Sequence, residues 1–327
     1  MRAWLMDGFT GVSGLRLGTV PDPVPGPDEV VLRVSYAALN PADRYVAERQ
    51  YPAKPPLPHI LGRDGIGTVV AVGAEVQGLG VGDRRIVLRG DTGVEKPGTF
   101  AELVAVPAQN VVEVPVGWDD TESAGATLVY LTAYQALTMW GSLPTSTVVI
   151  VTGASGGVGV ATVQLAMAMG FTVVALSRSE GKQARLLSLG ASHVFDPGDG
   201  AWRKKLRAAL GERRVDLAID NIGGALLPEV IETMGYDGRI SLVGRLAGPV
   251  PNFNTGTLFF RRLRLGGVAV STYTNPESQL AWREVLAHLS RMNARPLVDS
   301  VHPLEKLPEA FARLAEGPMG KVLLRVA

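Results

Sequence analysis

The chain has 327 residues and a mass of 34.6 kDa, about twice the commonest domain size, so two domains are expected. Its 32 lysines and arginines nearly balance 31 aspartates and glutamates, which disfavours nucleic acid or an anionic membrane as a partner. The absence of cysteine excludes disulfides, iron–sulfur clusters and thiolate zinc sites. No signal-peptide core or membrane-spanning run stands out, so we expect a soluble, cytoplasmic protein.

The first third of the chain predicts short β-strands separated by turn signals. The strands are expected at 29–37, 65–72, 85–88, 99–106 and 110–114. Clusters of proline and glycine between them favour a compact antiparallel barrel or sandwich. The polar segment 89–96 predicts a surface loop.

Beyond residue 120 the pattern changes to alternating helices and strands. A first helix is predicted at 122–140. Strands follow at 147–152, 172–176, 194–195, 215–219, 239–243 and 263–270, and helices at 158–169, 180–189, 201–210 and 226–234. This alternation predicts a parallel, doubly wound sheet.

The C-terminal segment has no evident βαβ alternation, with helices predicted at 276–292 and 304–314 and a strand at 321–326. We therefore assign it to the first domain, which becomes discontinuous. The predicted domains are 1–121 with 273–327, and 122–272.

The most specific local pattern is a glycine-rich turn that joins an apolar strand directly to a helix. Gly153, Gly156 and Gly159 allow a tight turn and let backbone N–H groups approach a pyrophosphate at a helix N-terminus. The turn therefore predicts a dinucleotide-binding site. Its further predicted contacts are Ser155, Gly157 and Val158.

The residues after the second strand of this region predict the coenzyme. No carboxylate stands at Ser177 or Arg178, where NAD enzymes carry one for the ribose hydroxyls. Two hydroxyls, the Arg178 guanidinium and the Lys182 ammonium suit a 2′-phosphate instead. Glu180 is placed at the helix start, where it favours the dipole. We therefore predict NADPH as the coenzyme.

Several segments together resemble the medium-chain dehydrogenase/reductase superfamily, namely 38–43, 61–65, 81–84 and 156–159. The resemblance covers essentially the whole chain, which looks most like the zinc-independent quinone oxidoreductases, the zeta-crystallin group. It implies an α/β protein in which a doubly wound parallel Rossmann sheet is inserted into a mainly antiparallel β domain of the GroES-like type.

The resemblance also indicates that no metal is bound. The zinc alcohol dehydrogenases place a cysteine where this chain has Asn40, and a His-Glu pair where it has Arg63 and Asp64. A catalytic zinc needs three protein ligands, and the candidates Asp43, His59 and Asp64 include one imidazole.

By resemblance, Asn40 would lie beside the nicotinamide, while Tyr45 and Tyr51 would face the substrate. An amide can orient a carboxamide or ribose, and a phenol can polarise a carbonyl; the alternative is that the tyrosines only pack as amphipathic aromatics. Further cofactor contacts that the resemblance implies are Thr132, Lys182, Asn221, Val243, Gly244, Phe259 and Phe260. Pro197 stands where NADPH-using relatives often have a tyrosine, which weighs against NADPH.

The predicted function is an NADPH-dependent reductase of quinones or α,β-unsaturated carbonyls that works without zinc. One alternative is an enoyl-thioester reductase that uses Tyr51 as proton donor. Another is a non-catalytic NADP-binding structural or RNA-binding protein. The edge strand 263–270 predicts a homodimer, since pairing with a copy satisfies its free backbone groups; the alternative is a monomer whose edge the C-terminal tail covers.

Overall fold

The computed structural model describes residues 1–88, 90–249 and 254–327. The chain folds into two compact units. The first, the β unit, comprises Met1–Leu128, Tyr273–Gln279 and Arg295–Ala327. The second, the parallel-sheet unit, comprises Val129–Thr272 and Leu280–Ala294. The domain division 1–121 with 273–327 and 122–272 stays a prediction.

The described residues form the following strands and helices. The strands are β1 (Arg2–Met6), β2 (Leu15–Thr19), β3 (Glu29–Ala38), β4 (His59–Ile60), β5 (Asp64–Val72), β6 (Arg84–Val87), β7 (Leu103–Pro107), β8 (Val111–Glu113), β9 (Val148–Val151), β10 (Thr172–Leu176), β11 (His193–Phe195), β12 (Val215–Asp220), β13 (Met234–Leu242), β14 (Arg264–Gly267), β15 (Val298–Pro303) and β16 (Lys321–Arg325). The helices are α1 (Pro41–Ala47), α2 (Asp120–Ala124), α3 (Thr127–Thr138), α4 (Gly157–Ala168), α5 (Glu180–Ser188), α6 (Trp202–Leu210), α7 (Leu226–Ile231), α8 (Gly256–Phe260), α9 (Asn275–Arg291) and α10 (Leu307–Ala315). None of these helices combines the length and apolar character that crossing a membrane requires.

The β unit is built on two sheets. The larger has the strand order β15-β16-β3-β5-β6-β8, with β7 also paired to β3, and the smaller has the order β2-β1-β4. Neighbouring strands are antiparallel apart from β15 and β16. Apolar side chains such as Leu32, Phe100 and Leu324 form the core. The predicted antiparallel character of this part of the chain is confirmed.

The C-terminal segment does contain a βαβ unit, and the contrary interpretation of the sequence was wrong. β15 and β16 pair in parallel, with α10 between them in the chain. The sequence hides β15 because its residues are polar as often as apolar and because the strand is only half-buried. Its periodicity is therefore too weak to separate a strand from a loop.

The parallel-sheet unit has the strand order β11-β10-β9-β12-β13-β14, and every neighbouring pair is parallel. Its core contains side chains from several strands, among them Ile150 of β9, Val174 of β10 and Ile240 of β13. From β9 the chain adds β10 and then β11 on one side of β9. It then returns to β9 and adds β12, β13 and β14 on the other side. This is the doubly wound order predicted from the sequence, with its reversal between β9 and β12.

The single helix predicted at 122–140 is two helices, α2 and α3. Gly125 caps the end of α2, and a Cβ there would lie 3.1 Å from both Cβ and Cγ of Lys321. After the break, the backbone N–H of Leu128 donates to Oδ1 of Asp64 at 3.2 Å. The break between α2 and α3 depends on Asp64 and Lys321, which are distant in the sequence. Helical periodicity is local, so it predicted a single helix here.

The segment predicted as a surface loop at 89–96 exposes Asp91, Glu95 and Lys96 but turns its middle inward. Arg89 lies outside the described residues, whereas Thr92 and Val94 are buried. Gly93 has φ +71°, and a Cβ there would lie 2.2 Å from the carbonyl oxygen of Gly62. The close approach of Gly93 to Gly62 draws only the middle of the loop into the fold, a detail that the sequence did not predict.

The strand predicted at 263–270 is shorter than expected, since β14 ends at Gly267. It lies at the edge of its sheet, paired with β13 on one side. The backbone N–H of Val268 donates to the carbonyl oxygen of Leu242. Because successive N–H groups of a strand point in opposite directions, the N–H of Leu265 faces away from β13.

Candidate functional site

The turn between β9 and α4 leaves no room for a side chain at its tightest point. Gly153 has φ +57°, in the left-handed region that favours glycine. A Cβ on Gly159 would lie 2.2 Å from the carbonyl oxygen of Gly153 and 2.6 Å from Cα of Ala154. Gly159 therefore has to be glycine for α4 to start this close to the end of β9.

Gly156 is different, although it belongs to the same turn. It caps α4 with φ −72°, and a Cβ there would meet only the carbonyl oxygen of Gly153 at 3.5 Å. The fold does not require glycine at this position. A bare backbone at a helix N-terminus is, however, what close approach of a phosphate needs. The other predicted residues of the turn, Ser155, Gly157 and Val158, are half-buried.

Asn221 presents an unpaired acceptor where the strand order reverses. It follows β12 and is 8% exposed. Its Nδ2 donates to the carbonyl oxygen of Thr152 at 2.8 Å, and since a carbonyl can only accept, this bond fixes the amide orientation. Oδ1 is buried and has no hydrogen-bond partner. Ligands of doubly wound sheets bind beyond the strand ends at this reversal, so the free oxygen is well placed for a ligand donor.

Asp220 holds the two strand ends on either side of the reversal together. Its buried carboxylate accepts from the Thr152 hydroxyl at 2.6 Å and from the backbone N–H of Gly223 at 3.0 Å. The Thr152 hydroxyl in turn accepts from the backbone N–H of Asn221 at 2.9 Å. These bonds fix the loop that carries Asn221.

The predicted segment after β13 lies against Asn221. The backbone N–H groups of Val243 and Gly244 donate to the carbonyl oxygen of Asp220 at 2.9 and 3.2 Å. A Cβ on Gly244 would lie 2.6 Å from the carbonyl oxygen of Asn221. The structure thus brings the glycine turn, Asn221 and the Val243–Gly244 segment to the same edge of the sheet.

The predicted coenzyme-selecting residues follow β10, the strand next to β9. Ser177 is buried, Arg178 is exposed and Lys182 is half-buried in the first turn of α5. The Ser177 backbone is fixed, because its N–H donates to the carbonyl oxygen of Phe195 and its own carbonyl accepts from Gln183 Nε2. The three predicted residues therefore stand at the carboxyl end of β10.

Three other predicted contacts come from helices. Thr132 is half-buried in α3, and Phe259 and Phe260 end α8 with exposures of 66% and 72%. The two phenyl rings contact each other, with centroids 4.3 Å apart. The contacts of these three residues with a ligand remain predictions.

In the β unit, four polar side chains are buried together where β3 gives way to α1. Asn40, Asp43, Asp64 and Lys321 are each at most 4% exposed; we call them the Asn40 cluster. Asn40 precedes α1, Asp43 lies in its first turn, Asp64 starts β5 and Lys321 starts β16. Buried charges are costly unless they are paired, so the bonds within this cluster decide its properties.

Lys321 joins two of the other members of the cluster, Asn40 and Asp64. Its Nζ donates to Oδ1 of Asn40 at 2.6 Å and lies 3.1 Å from Oδ2 of Asp64, with which it forms an ion pair. Nδ2 of Asn40 donates to the same Asp64 oxygen at 3.0 Å. An ammonium, a carboxylate and an amide thus form a closed triangle, so the Asn40 amide is held on both sides.

Asp43 is the member whose charge is least well compensated. Its Oδ2 accepts from the backbone N–H of Asn40 at 2.7 Å, but Oδ1 is buried without a partner. Burial raises the pKa of Asp43 to about 7, against the opposing effects of the Asn40 hydrogen bond and of the Arg63 and Lys321 charges. Near neutral pH this carboxyl can therefore either hold or release a proton.

The two predicted tyrosines are half-buried at α1 and just beyond it. Nη1 of Arg63 donates to the Tyr51 hydroxyl at 3.2 Å, and the guanidinium carbon is 5.5 Å from the centroid of the Tyr51 ring. Nε of Arg63 is buried without a partner. Arg63 thus places a cation beside the phenol of Tyr51.

Zinc does not fit this site. Asn40 and Arg63 are poor replacements for thiolate and imidazole, and the Lys321 ammonium already stands between Asn40 and Asp64, where it would repel a second cation. Throughout the described ranges, no three His, Cys, Asp or Glu side chains come together in a way that could hold a metal ion.

Sequence reasoning missed Lys321 and Arg63 as functional candidates. Lys321 was assigned only as the start of a strand, and Arg63 only as the absence of a zinc ligand. One signal was available for Lys321, because a lysine that begins the apolar run of β16 needs a partner if it is buried. Nothing in the sequence identifies Asn40 and Asp64 as that partner.

Comparisons with known proteins identify the family. The model of the alcohol dehydrogenase GroES-like domain matches residues 26–116, and that of the zinc-binding dehydrogenase matches residues 157–291. The chain is 31% identical to the quinone oxidoreductase of Lama guanicoe, over 99% of this chain and 97% of that protein. It is 29% identical to the acryloyl-coenzyme A reductase of Sulfurisphaera tokodaii, over 95% and 96%.

Solved structures agree over the full length. An NAD-dependent alcohol dehydrogenase superimposes with a TM-score of 0.91 at 30% identity, covering 100% of both chains. A mycobacterial protein solved with NADPH has a TM-score of 0.90 at 26% identity, again over 100% of both chains. The chain belongs to the medium-chain dehydrogenase/reductase superfamily and, within it, to the quinone oxidoreductase group.

Proposed function

We propose that this protein is an NADPH-dependent oxidoreductase that reduces quinones or α,β-unsaturated carbonyls and needs no zinc. The observation that carries the proposal is the unpaired, buried Oδ1 of Asn221 beside the tight Gly153–Gly159 turn, at the reversal of a doubly wound sheet. The 31% identity to a quinone oxidoreductase over nearly the whole chain supports the reaction class.

NADPH would supply the hydride, and the protein would bind and orient it. Ser177, Arg178 and Lys182 would hold the 2′-phosphate, since a guanidinium and an ammonium suit a dianion. The mycobacterial relative solved with NADPH supports this choice, whereas the NAD-dependent relative opposes it. The remaining cofactor contacts are proposed to be Thr132, Gly153, Ser155, Gly156, Gly157, Val158, Gly159, Asn221, Val243, Gly244, Phe259 and Phe260.

On the substrate side, Asn40, Tyr45 and Tyr51 are the proposed catalytic residues. The Arg63 guanidinium beside the Tyr51 hydroxyl supports a role for that phenol, because a nearby cation favours an oxygen on which negative charge develops. Reduction of a quinone or enone creates such an oxygen. Tyr51 would then hydrogen-bond to it, and Arg63 would stabilise the pair.

A second candidate is reduction of an enoyl thioester, with Tyr51 as the proton donor. The 29% identity to an acryloyl-coenzyme A reductase favours it. Turnover of NADPH with 9,10-phenanthrenequinone, a 2-alkenal and crotonyl-coenzyme A separates the activities. NADPH binding without turnover of any of them would refute both reductase proposals and leave a non-catalytic protein.

The proposal that no zinc is needed has its own test. We expect the purified protein to contain no zinc by elemental analysis and to keep its activity after chelation. Stoichiometric zinc whose removal abolishes activity would contradict this proposal.

The coenzyme proposal is tested by titrating NADPH and NADH into wild type, Arg178→Ala and Arg185→Ala. Arg178→Ala is expected to weaken NADPH about 10- to 100-fold and to leave NADH nearly unchanged, because a charged phosphate contact is lost. Arg185, an exposed residue of α5, the helix that follows Arg178, is the control. Equal affinity of the wild type for both coenzymes would refute the assignment.

We also propose a soluble, cytoplasmic homodimer joined through the predicted edge strand 263–270, with no nucleic-acid or membrane partner. The edge position of β14 and the outward N–H of Leu265 support pairing with a second copy. Leu265→Pro removes that donor and is expected to yield monomers in sedimentation equilibrium. A wild-type mass near 34.6 kDa would refute the dimer.

A further inference from the structure

The chemistry of its neighbours permits only one orientation of the Asn40 amide. An ammonium can only donate, so the Asn40 atom 2.6 Å from Nζ of Lys321 has to be the oxygen. An ionised carboxylate can only accept, so the atom 3.0 Å from Oδ2 of Asp64 has to be the nitrogen. The opposite orientation would set N–H groups against the ammonium and the oxygen against the carboxylate.

This arrangement uses up the donors of Asn40. One amide hydrogen points to Asp64, and the other points to the carbonyl oxygen of Ala38 at 3.4 Å. Oδ1 accepts from Lys321 and keeps a second lone pair. Toward a ligand, Asn40 can therefore accept a hydrogen bond from an N–H or O–H group but has no strong donor to offer.

Lys321 itself has little freedom. Its ammonium is buried, and its stem lies against Gly125, where even a methyl group would come within 3.1 Å. Its backbone N–H is bonded to the carbonyl oxygen of Leu297. The ammonium is thus a fixed internal cation, set between Asn40 and Asp64, which stand where zinc alcohol dehydrogenases carry a cysteine and a glutamate.

We propose that Lys321, together with Asp64, is a positioning residue that takes the place of a metal ion and locks the Asn40 amide so that its oxygen accepts from the nicotinamide riboside. The proposal rests on the proposed function, in which Asn40 contacts that part of the coenzyme. It specifies the ligand group, which is a carboxamide N–H or a ribose hydroxyl. Without the bonds from Lys321 and Asp64 to the Asn40 amide, the coenzyme still binds with nearly the same affinity, but its nicotinamide can move.

The test uses Asp64→Asn combined with Lys321→Met, which removes the cation without leaving an unpaired buried carboxylate. Lys306→Met is the matched control, because Lys306 forms its ion pair with Glu309 on the surface. We expect the double variant to bind NADPH with an affinity within about threefold of wild type, to shorten the fluorescence lifetime of bound NADPH, and to lower kcat about 10- to 100-fold.

Asn40→Ala, alone and added to the double variant, shows whether Lys321 acts through Asn40. Alone, Asn40→Ala is expected to shorten the lifetime of bound NADPH and to lower kcat as much as the double variant does. Added to the double variant, it is expected to cause no further change in either quantity. The positioning role would be overturned if the effects of Asn40→Ala and of the double variant on kcat multiply. It would also be overturned if the double variant has the lifetime and kcat of wild type. If the double variant does not fold, Lys321→Gln replaces it: the shorter donor should partly lower both quantities, and wild-type values would overturn the proposal.

Failure of the proposed function would look different. A wild type that turns over none of the substrates would refute the reductase assignment, while the lifetime of bound NADPH would still report on Asn40. If Asn40→Ala changes neither that lifetime nor turnover in an active wild type, the site role of Asn40 is refuted and the inference with it, but the reductase assignment stands.

Discussion

The glycine turn of the parallel-sheet unit and the Asn40 cluster of the β unit are built in opposite ways. The turn uses residues within a single stretch, Gly153 to Gly159, whereas the cluster joins Asn40 to Asp64 and Lys321 across separations of 24 and 281 residues. The turn leaves bare backbone open to a ligand, and Asn221 at the end of the neighbouring strand β12 adds a free amide oxygen, whereas the cluster satisfies most of its polar atoms internally. Local patterns in a sequence therefore locate binding surfaces more easily than the groups that orient catalytic side chains.

The sharpest test of the turn compares two of its glycines. Gly159→Ala is expected to lower the melting temperature severely and to abolish NADPH binding, because its Cβ would overlap the backbone of Gly153 and Ala154. Gly156→Ala is expected to keep the melting temperature near wild type and to weaken NADPH only, since its nearest neighbour is 3.5 Å away. Thermal unfolding and coenzyme titration check both; equal losses of stability would mean that the turn is not built as described.

In the cluster, Lys321→Met is expected to cost about 3–5 kcal/mol of unfolding free energy, because it leaves the Asp64 carboxylate buried without its cation. Adding Asp64→Asn should restore most of that loss. Lys306→Met, at an exposed ion pair, should have no measurable effect. Urea unfolding measures all three, and failure of Asp64→Asn to compensate would show that the charge pair is not what stabilises the cluster.

Asp43 should make the stability of the β unit depend on pH. Its pKa is about 7 in the folded chain against 3.8 for an ordinary aspartate, so the folded state binds the proton more tightly. This contribution is present below about pH 4 and is lost as pH rises to about 7, a change of about 4 kcal/mol. The stability of Asp43→Asn relative to wild type should therefore improve over that range; a difference independent of pH would contradict the prediction.

A smaller effect is expected where the two helices α2 and α3 separate. Gly125→Ala would press on the stem of Lys321 at 3.1 Å and is expected to cost about 1–2 kcal/mol. Gly181→Ala, in α5 with open space around it, should instead stabilise by up to about 1 kcal/mol. Chemical unfolding of both variants distinguishes a packed glycine from a free one.

Most of the architecture could be predicted from the sequence, and the failures have two physical causes. β9 and most of β10 are continuous apolar runs, which keep their character wherever they pack. The break at Gly125 and the inward turn at Gly93 depend instead on contacts with residues far away in the chain, whereas β15 was missed because its half-buried sequence is polar as often as apolar. The candidate site shows the same contrast. Asn40 and the glycines belong to local sequence patterns and could be predicted, whereas no sequence pattern predicts the bonds that Lys321 and Arg63 make.

The position of Lys321 also has a consequence for synthesis on the ribosome. Asn40, Asp43 and Asp64 leave the exit tunnel long before β16, whose Lys321 is made 257 residues after Asp64. Until then the carboxylate of Asp64 has no cation, and β3 lacks β16 along one side. The parallel-sheet unit, which is continuous over most of its length, is therefore expected to fold first. Until β16 is made, the N-terminal part of the β unit is expected to remain loosely packed and prone to aggregation.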